Sequence, residues 1–277
     1  MMVITDKFVF VHEPKTGGTF VRKALYDLHH RSRPRGILSH ILNRTPKGTR
    51  SYHELSNYHG TCHDIPKSES HKPILSIVRN PFDLYVSFFY FGWWRTHPED
   101  SYDDIELVKR QFESFPDLSF EDFLILANTR FDDFQLIGHN NMPHGERPGW
   151  YTTRFVRYYF RNPETVYPLI NDEYIASKRY RNDMFNVHFM RTHNLNEDLY
   201  RYLLSMDFSS SEVKFVLDME RLRPEEEEIR RPDYDWTKYY TPKLNEYVLK
   251  KEKLLFSIFS DLSFDHAPRA QDRPRSS

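Results

Sequence analysis

Cysteine is almost absent from this chain: Cys62 is the only one among 277 residues. No internal disulfide can form, which fits a reducing compartment. Charge of one sign is lacking too. The 39 Lys and Arg residues nearly cancel the 40 Asp and Glu residues, leaving a formal net charge of -1. That balance gives no global attraction to nucleic acid or to a membrane surface, while leaving room for a local basic pocket. No apolar run reaches the length of a membrane span, and no secretory leader precedes the first strand-like run at Phe8. A full-length chain of this kind is expected to be soluble and cytoplasmic. A lumenal or secretory location is expected only where an anchor has been removed.

What is present is enough for one packed core: 39% of the residues are hydrophobic and 16% aromatic. Phe8 to Val11 is a short continuous apolar run, as for a strand buried on both faces. A polar loop comes next. From Thr19 an apolar stripe through Phe20, Val21, Ala24, Leu25 and Leu28 predicts a helix. Residues 31–58 read as mostly irregular, with a short helix near 37–42. Ile74 to Val78 is a second buried strand, and Pro81 suits the first turn of the helix after it. Further helices are expected over 101–114 and 119–130, a loop over 138–150 and a strand over 187–190. A helix should open near Asn194 or Asn196, and a last one after Thr241-Pro242. Glu225 to Glu228 with Arg230 and Arg231 reads as a solvated helical face. Strands alternating with helices argue for an α/β fold, a parallel sheet flanked by helices. No repeat and no linker is visible, so a single domain is expected over 1–265, with a disordered tail over 266–277.

Two segments carry chemistry. In the first, Pro14-Lys15-Thr16-Gly17-Gly18-Thr19 joins a buried strand to a helix. A glycine loop that opens a helix offers backbone N–H groups and the positive end of the helix dipole to an anion. Lys15 adds a mobile charge, and Thr16 and Thr19 add hydroxyls. The order differs from the nucleotide-triphosphatase loop, because the lysine precedes the glycines and no lysine-Ser/Thr pair comes after them to hold magnesium. In the second segment, Arg79 stands at the carboxyl end of a strand, where open α/β sheets bind ligands. Ser87 lies two helical turns on. An arginine fork and a hydroxyl can grip a phosphate together. The plainer alternative pairs Arg79 with Asp83 and leaves Ser87 on an exposed face.

The string FVFVHEPKTGGTFVRKAL resembles the 5′-phosphosulfate loop of the sulfotransferases that use 3′-phosphoadenosine 5′-phosphosulfate (PAPS), the carbohydrate sulfotransferases and their bacterial relatives above all. LSIVRNPFDLYVS resembles their 3′-phosphate motif. The resemblance implies a nucleotide-kinase-like sulfotransferase fold with a P-loop-like cradle. It implies that Pro14, Lys15, Thr16, Gly17, Gly18, Thr19, Arg79 and Ser87 bind PAPS, with Lys15 steadying the leaving oxygen. Sulfuryl transfer also needs a base for the acceptor hydroxyl, a task suited to histidine. Tyr58-His59-Gly60-Thr61-Cys62-His63 is similar to the family's His-Ala-Thr-Ala stretch, with His59 in the histidine place, His63 as second choice and Glu54 still open. His53, His59 and His63 are the residues that zinc would use. Gly60 and Pro66 oppose the helix that would align the last two, and no cysteine pair or H-E-x-x-H run exists, so no metal is expected.

A later stretch from Val187 to Leu199 resembles a family segment ending Arg-x-Glu-Asn-Leu, with His193 where glutamate is common. Tyr239, Tyr240 and Thr241 before the closing helix, and Trp150 and Tyr151, are open between facing a ligand and packing. A small-molecule or, preferably, carbohydrate acceptor is expected, and no nucleic-acid partner. The alternatives are an ATP-dependent kinase and a catalytically silent nucleotide-binding protein of the same fold.

Overall fold

The computed structural model describes residues 2–31, 51–55, 60–102, 104–130, 147–220 and 235–262. His59, the helix expected near 37–42, the acidic run from Glu225 and the tail from 266 lie outside the described residues. In chain order the main elements are β1 (Met2–Thr5), β2 (Val9–Val11), α1 (Gly18–Arg31), β3 (Tyr52–Leu55) and β4 (Ile74–Val78). Next come α2 (Pro81–Phe91), α3 (Ile105–Gln111), α4 (Phe120–Arg130), α5 (Trp150–Tyr159), β5 (Val187–Arg191), α6 (Leu195–Ser205), α7 (Pro242–Lys251) and α8 (Lys253–Ile258). Short helical turns connect them. Among the described residues no helix is long and apolar enough to cross a membrane.

The chain divides into two compact units, 1–78 with 186–222 and 79–185 with 223–277. The first holds a five-stranded sheet in the order β3-β1-β2-β4-β5. β2, β4 and β5 are parallel, as expected. β1 and β3 are not: β1 runs antiparallel to both β2 and β3, so the sheet is mixed. The cause is local. The Thr5 hydroxyl donates to the Phe8 carbonyl at 2.8 Å and accepts the Phe8 N–H at 2.9 Å, closing a two-residue turn at Asp6 and Lys7. A turn that short can join only antiparallel strands. β3 falls within the stretch read as irregular, because Tyr52-His53-Glu54-Leu55 has too little apolar content to announce a strand.

Side chains alternate across each strand. Phe10, Leu75, Ile77 and Met190 pack with Phe20, Val21, Ala24, Leu25 and Leu28 of α1 and Leu199, Tyr202 and Leu203 of α6 in one core. Val9, Val11 and Val78 on the alternate positions are equally buried. Ser76, wholly buried, donates its hydroxyl to the Val11 carbonyl at 2.8 Å and so ties β4 to the end of β2. The second unit has its own aromatic core, with Phe82 and Tyr85 of α2, Phe123 of α4, Trp150 of α5, Trp236 and Val248. The closing helix, expected as one piece, is broken at Glu252 into α7 and α8. Thr241 caps α7 as expected, accepting the Leu244 N–H at 3.3 Å.

Replacing Ser76 by alanine orphans the buried Val11 carbonyl. The expected loss is about 1–2 kcal/mol in denaturant unfolding, with an unchanged denaturant slope.

Candidate active site

In the first unit, β2 and β4 are adjacent and parallel, so their carboxyl ends open on the same edge of the sheet. The 14–19 loop leaves β2 there. Lys15 has φ of 66° and Gly17 of 105°. These are the turns that a cradle of backbone amides requires, and for lysine the left-handed conformation costs about 1 kcal/mol, a strain typical of ligand clamps. At Gly17 a Cβ would lie 2.9 Å from the Leu195 side chain, and at Gly18 it would lie 1.8 Å from the His12 ring. Gly18 is therefore required by close approach to the His12 ring, and Gly17 by its conformation. Gly18 opens α1, which has no acidic residue in its first turn to compete for an anion.

Thr16 is wholly buried, and its hydroxyl donates to the Glu13 carbonyl at 2.8 Å. That hydrogen is spent inside the loop, so Thr16 braces the cradle. Thr19 is exposed on the first turn of α1, and Pro14 and Lys15 are half-buried. Thr192, just past β5, was not foreseen. Its hydroxyl donates to the Thr16 carbonyl at 2.7 Å and leans on the Val78 carbonyl at 3.2 Å. The signal available in the sequence was a hydroxyl residue next to a strand's carboxyl end.

In the second unit, Asn80 caps α2 by accepting the Phe82 N–H at 3.0 Å, and Pro81 occupies its first turn. Arg79 donates through Nε and Nη2 to the two carboxylate oxygens of Asp83, at 2.7 and 2.9 Å. Its Nη1 donates to the Ser87 hydroxyl at 2.9 Å. The plainer alternative is thus half realised: Arg79 does pair with Asp83. Ser87, however, is only 1% exposed and bonded to the guanidinium, not on an open face. The Arg79 N–H donates to the Tyr151 hydroxyl at 3.2 Å. Trp150 and Tyr151 are buried and pack. Tyr240 donates to the Phe82 carbonyl at 2.8 Å, and Tyr239 meets Tyr90 hydroxyl to hydroxyl.

Of the three candidate bases, His59 lies outside the described residues. His63 is exposed on a single turn, Cys62–Asp64. That turn is fixed by a reciprocal cap: His63 N–H donates to the Thr61 hydroxyl at 3.3 Å, and Thr61 N–H to Asp64 at 2.7 Å. Glu54 sits on the edge strand β3, with Arg22 3.5 Å from its carboxylate and the Tyr52 hydroxyl donating to it. Burial, then that carboxylate, push the Tyr52 phenol well above its ordinary range. His193, in place of glutamate, is exposed in the turn after β5.

Residues 1–251 match the sulfotransferase family, and the chain belongs to it. Among solved structures it is similar to mouse sulfotransferase SULT7A1 complexed with PAP, at 17% identity and a TM-score of 0.41, over 91% of this chain and 82% of that one. No curated protein sequence matches it.

Thr192→Val keeps the volume and removes the hydroxyl that holds the loop. A loss of about 1–2 kcal/mol is expected, with faster amide exchange over residues 14–19 than elsewhere, read by hydrogen-exchange mass spectrometry.

Proposed function

We propose that this enzyme takes the sulfuryl group of PAPS and places it on a hydroxyl, that of a carbohydrate by preference, releasing adenosine 3′,5′-bisphosphate. The observation that carries the reading is the Arg79–Ser87 bond, 2.9 Å long, between a partly buried guanidinium and a buried hydroxyl. A guanidinium fixed by a carboxylate on one edge and tied to a buried hydroxyl on another is a preorganised phosphate reader. The 14–19 loop supplies the complementary cradle for the 5′-phosphosulfate, through Lys15, the amides about Gly17 and Gly18, and the start of α1.

The acceptor oxygen forms a bond to sulfur as the bond from sulfur to the 5′-phosphate oxygen breaks. The acceptor proton passes to the base, His59 first and His63 second. The electron pair leaves with the 5′-phosphate, whose added charge Lys15 and the loop amides stabilise in the transition state. Lys15 is thus the catalytic cation, and Arg79 and Ser87 hold the far end of the donor. The organisation of 1–265 as one catalytic domain, and a cytoplasmic location, belong to the same proposal.

Lys15→Ala is expected to lower turnover by about 10²–10³-fold, the usual cost of one charge-stabilising donor, with a smaller effect on bisphosphate affinity. Arg79→Ala weakens that affinity. His59→Ala lowers turnover by about 10²-fold or more, as for loss of a general base, and leaves bisphosphate affinity unchanged. Assays are of bisphosphate release with a panel of hydroxyl acceptors, and of binding by calorimetry. Full turnover in both Lys15→Ala and Arg79→Ala contradicts the assignment, and a loss confined to His63→Ala moves the base to His63.

A further inference from the structure

We infer that Glu252 is the positioning residue of the Arg79–Ser87 clamp, holding from the core both elements that touch Arg79. The inference rests on the reading of Arg79 and Ser87 as the 3′-phosphate reader. Glu252 is 0% exposed and sits at the break between α7 and α8. A carboxylate there loses its water, which costs several kcal/mol unless donors replace it. Four donors do. Oε2 accepts the Thr152 N–H at 2.7 Å and the Thr152 hydroxyl at 2.6 Å. Oε1 accepts the Tyr151 N–H at 3.2 Å and the Tyr85 hydroxyl.

Each donor belongs to an element of the clamp. The Tyr151 and Thr152 amides are orphan N–H groups at the start of α5, whose positive end the carboxylate faces. Tyr151, fixed in this way, presents its hydroxyl to the Arg79 N–H. Tyr85 lies on α2 between Asp83 and Ser87, the two residues that hold the guanidinium. Asn128 of α4 joins the same pair of elements: its Oδ1 accepts the Trp150 N–H at 2.9 Å and lies 2.9 Å from the Tyr85 oxygen, whose one hydrogen goes to Glu252. The backbone clears a path for the carboxylate. At Gly149 a Cβ would stand 2.1 Å from Glu252 Oε1, and the Gly149 N–H donates to the Lys251 carbonyl at 2.7 Å. Burial raises the Glu252 pKa, outweighing the hydrogen bonds from Thr152 and Tyr85 that lower it.

None of these residues is assigned to the donor itself, so the effect on binding is indirect and selective for the 3′ end. The test is calorimetry on the full chain with two probes, adenosine 3′,5′-bisphosphate and adenosine 5′-monophosphate. Tyr151→Phe removes one hydroxyl and keeps the ring. It is expected to weaken the bisphosphate by about five- to tenfold, the worth of one hydrogen bond, and to leave the monophosphate within about twofold, both measured well below the melting temperature of the variant. Glu252→Gln presents an amide to donors and should show the same split, larger. If Glu252→Gln does not fold, Tyr151→Phe decides alone. Bisphosphate affinity within twofold of wild type, or equal losses for both probes, overturns the inference. Wild-type protein that binds no bisphosphate overturns instead the donor reading on which it rests.

Discussion

The hydroxyl of Thr192 is the pin on which the cradle hangs. It stands just past the end of β5 and reaches the carbonyl of Thr16 in the loop and that of Val78 at the end of β4. The loop itself leaves from β2, so one side chain gathers the carboxyl ends of all three parallel strands. The geometry needs that pin. A loop with lysine in a left-handed conformation is strained, and such strain persists only where surrounding contacts over-determine it. Here they do. Thr16 closes the loop on Glu13, the His12 ring fills the space over Gly18, and Leu195 fills that over Gly17.

The second anchor obeys the opposite logic, of charge rather than strain. A guanidinium that is largely out of water must have partners before any ligand arrives, since a buried unpaired charge is prohibitive. Asp83 provides them with a two-point contact that fixes the plane of the fork. Rotation of the fork is then frozen in advance, as the proposed role in phosphate binding requires. The carboxylate occupies one edge of the guanidinium, through Nε and Nη2, while Nη1 turns to Ser87.

Much of this was legible in the residues. The strand, glycine loop and helix of 8–28 and the strand-arginine-proline-helix of 74–87 have local signatures, and both elements form where the pattern puts them. What escaped was set at a distance. β1 announces itself only through the Thr5 turn, and β3 has almost no apolar signal; both become strands by pairing. Thr16 reads as a ligand hydroxyl until its carbonyl partner is seen. The plainer alternative, an exposed Ser87, fails because a lone serine on a helix says nothing of what packs on it. Glu252 is the plainest case. Within Lys250-Lys251-Glu252-Lys253 it looks like one more solvated charge, and nothing local reveals that α5 will lay two bare amides against it.

The proposed function requires a donor with phosphate at both ends of an adenosine. Competition calorimetry tests that claim most directly: adenosine 3′,5′-bisphosphate titrated into wild-type protein, alone and against excess ATP with magnesium. Tight bisphosphate binding that ATP with magnesium displaces poorly is the expected result. Displacement by ATP at equal or lower concentration, with its dependence on magnesium, would overturn the donor assignment.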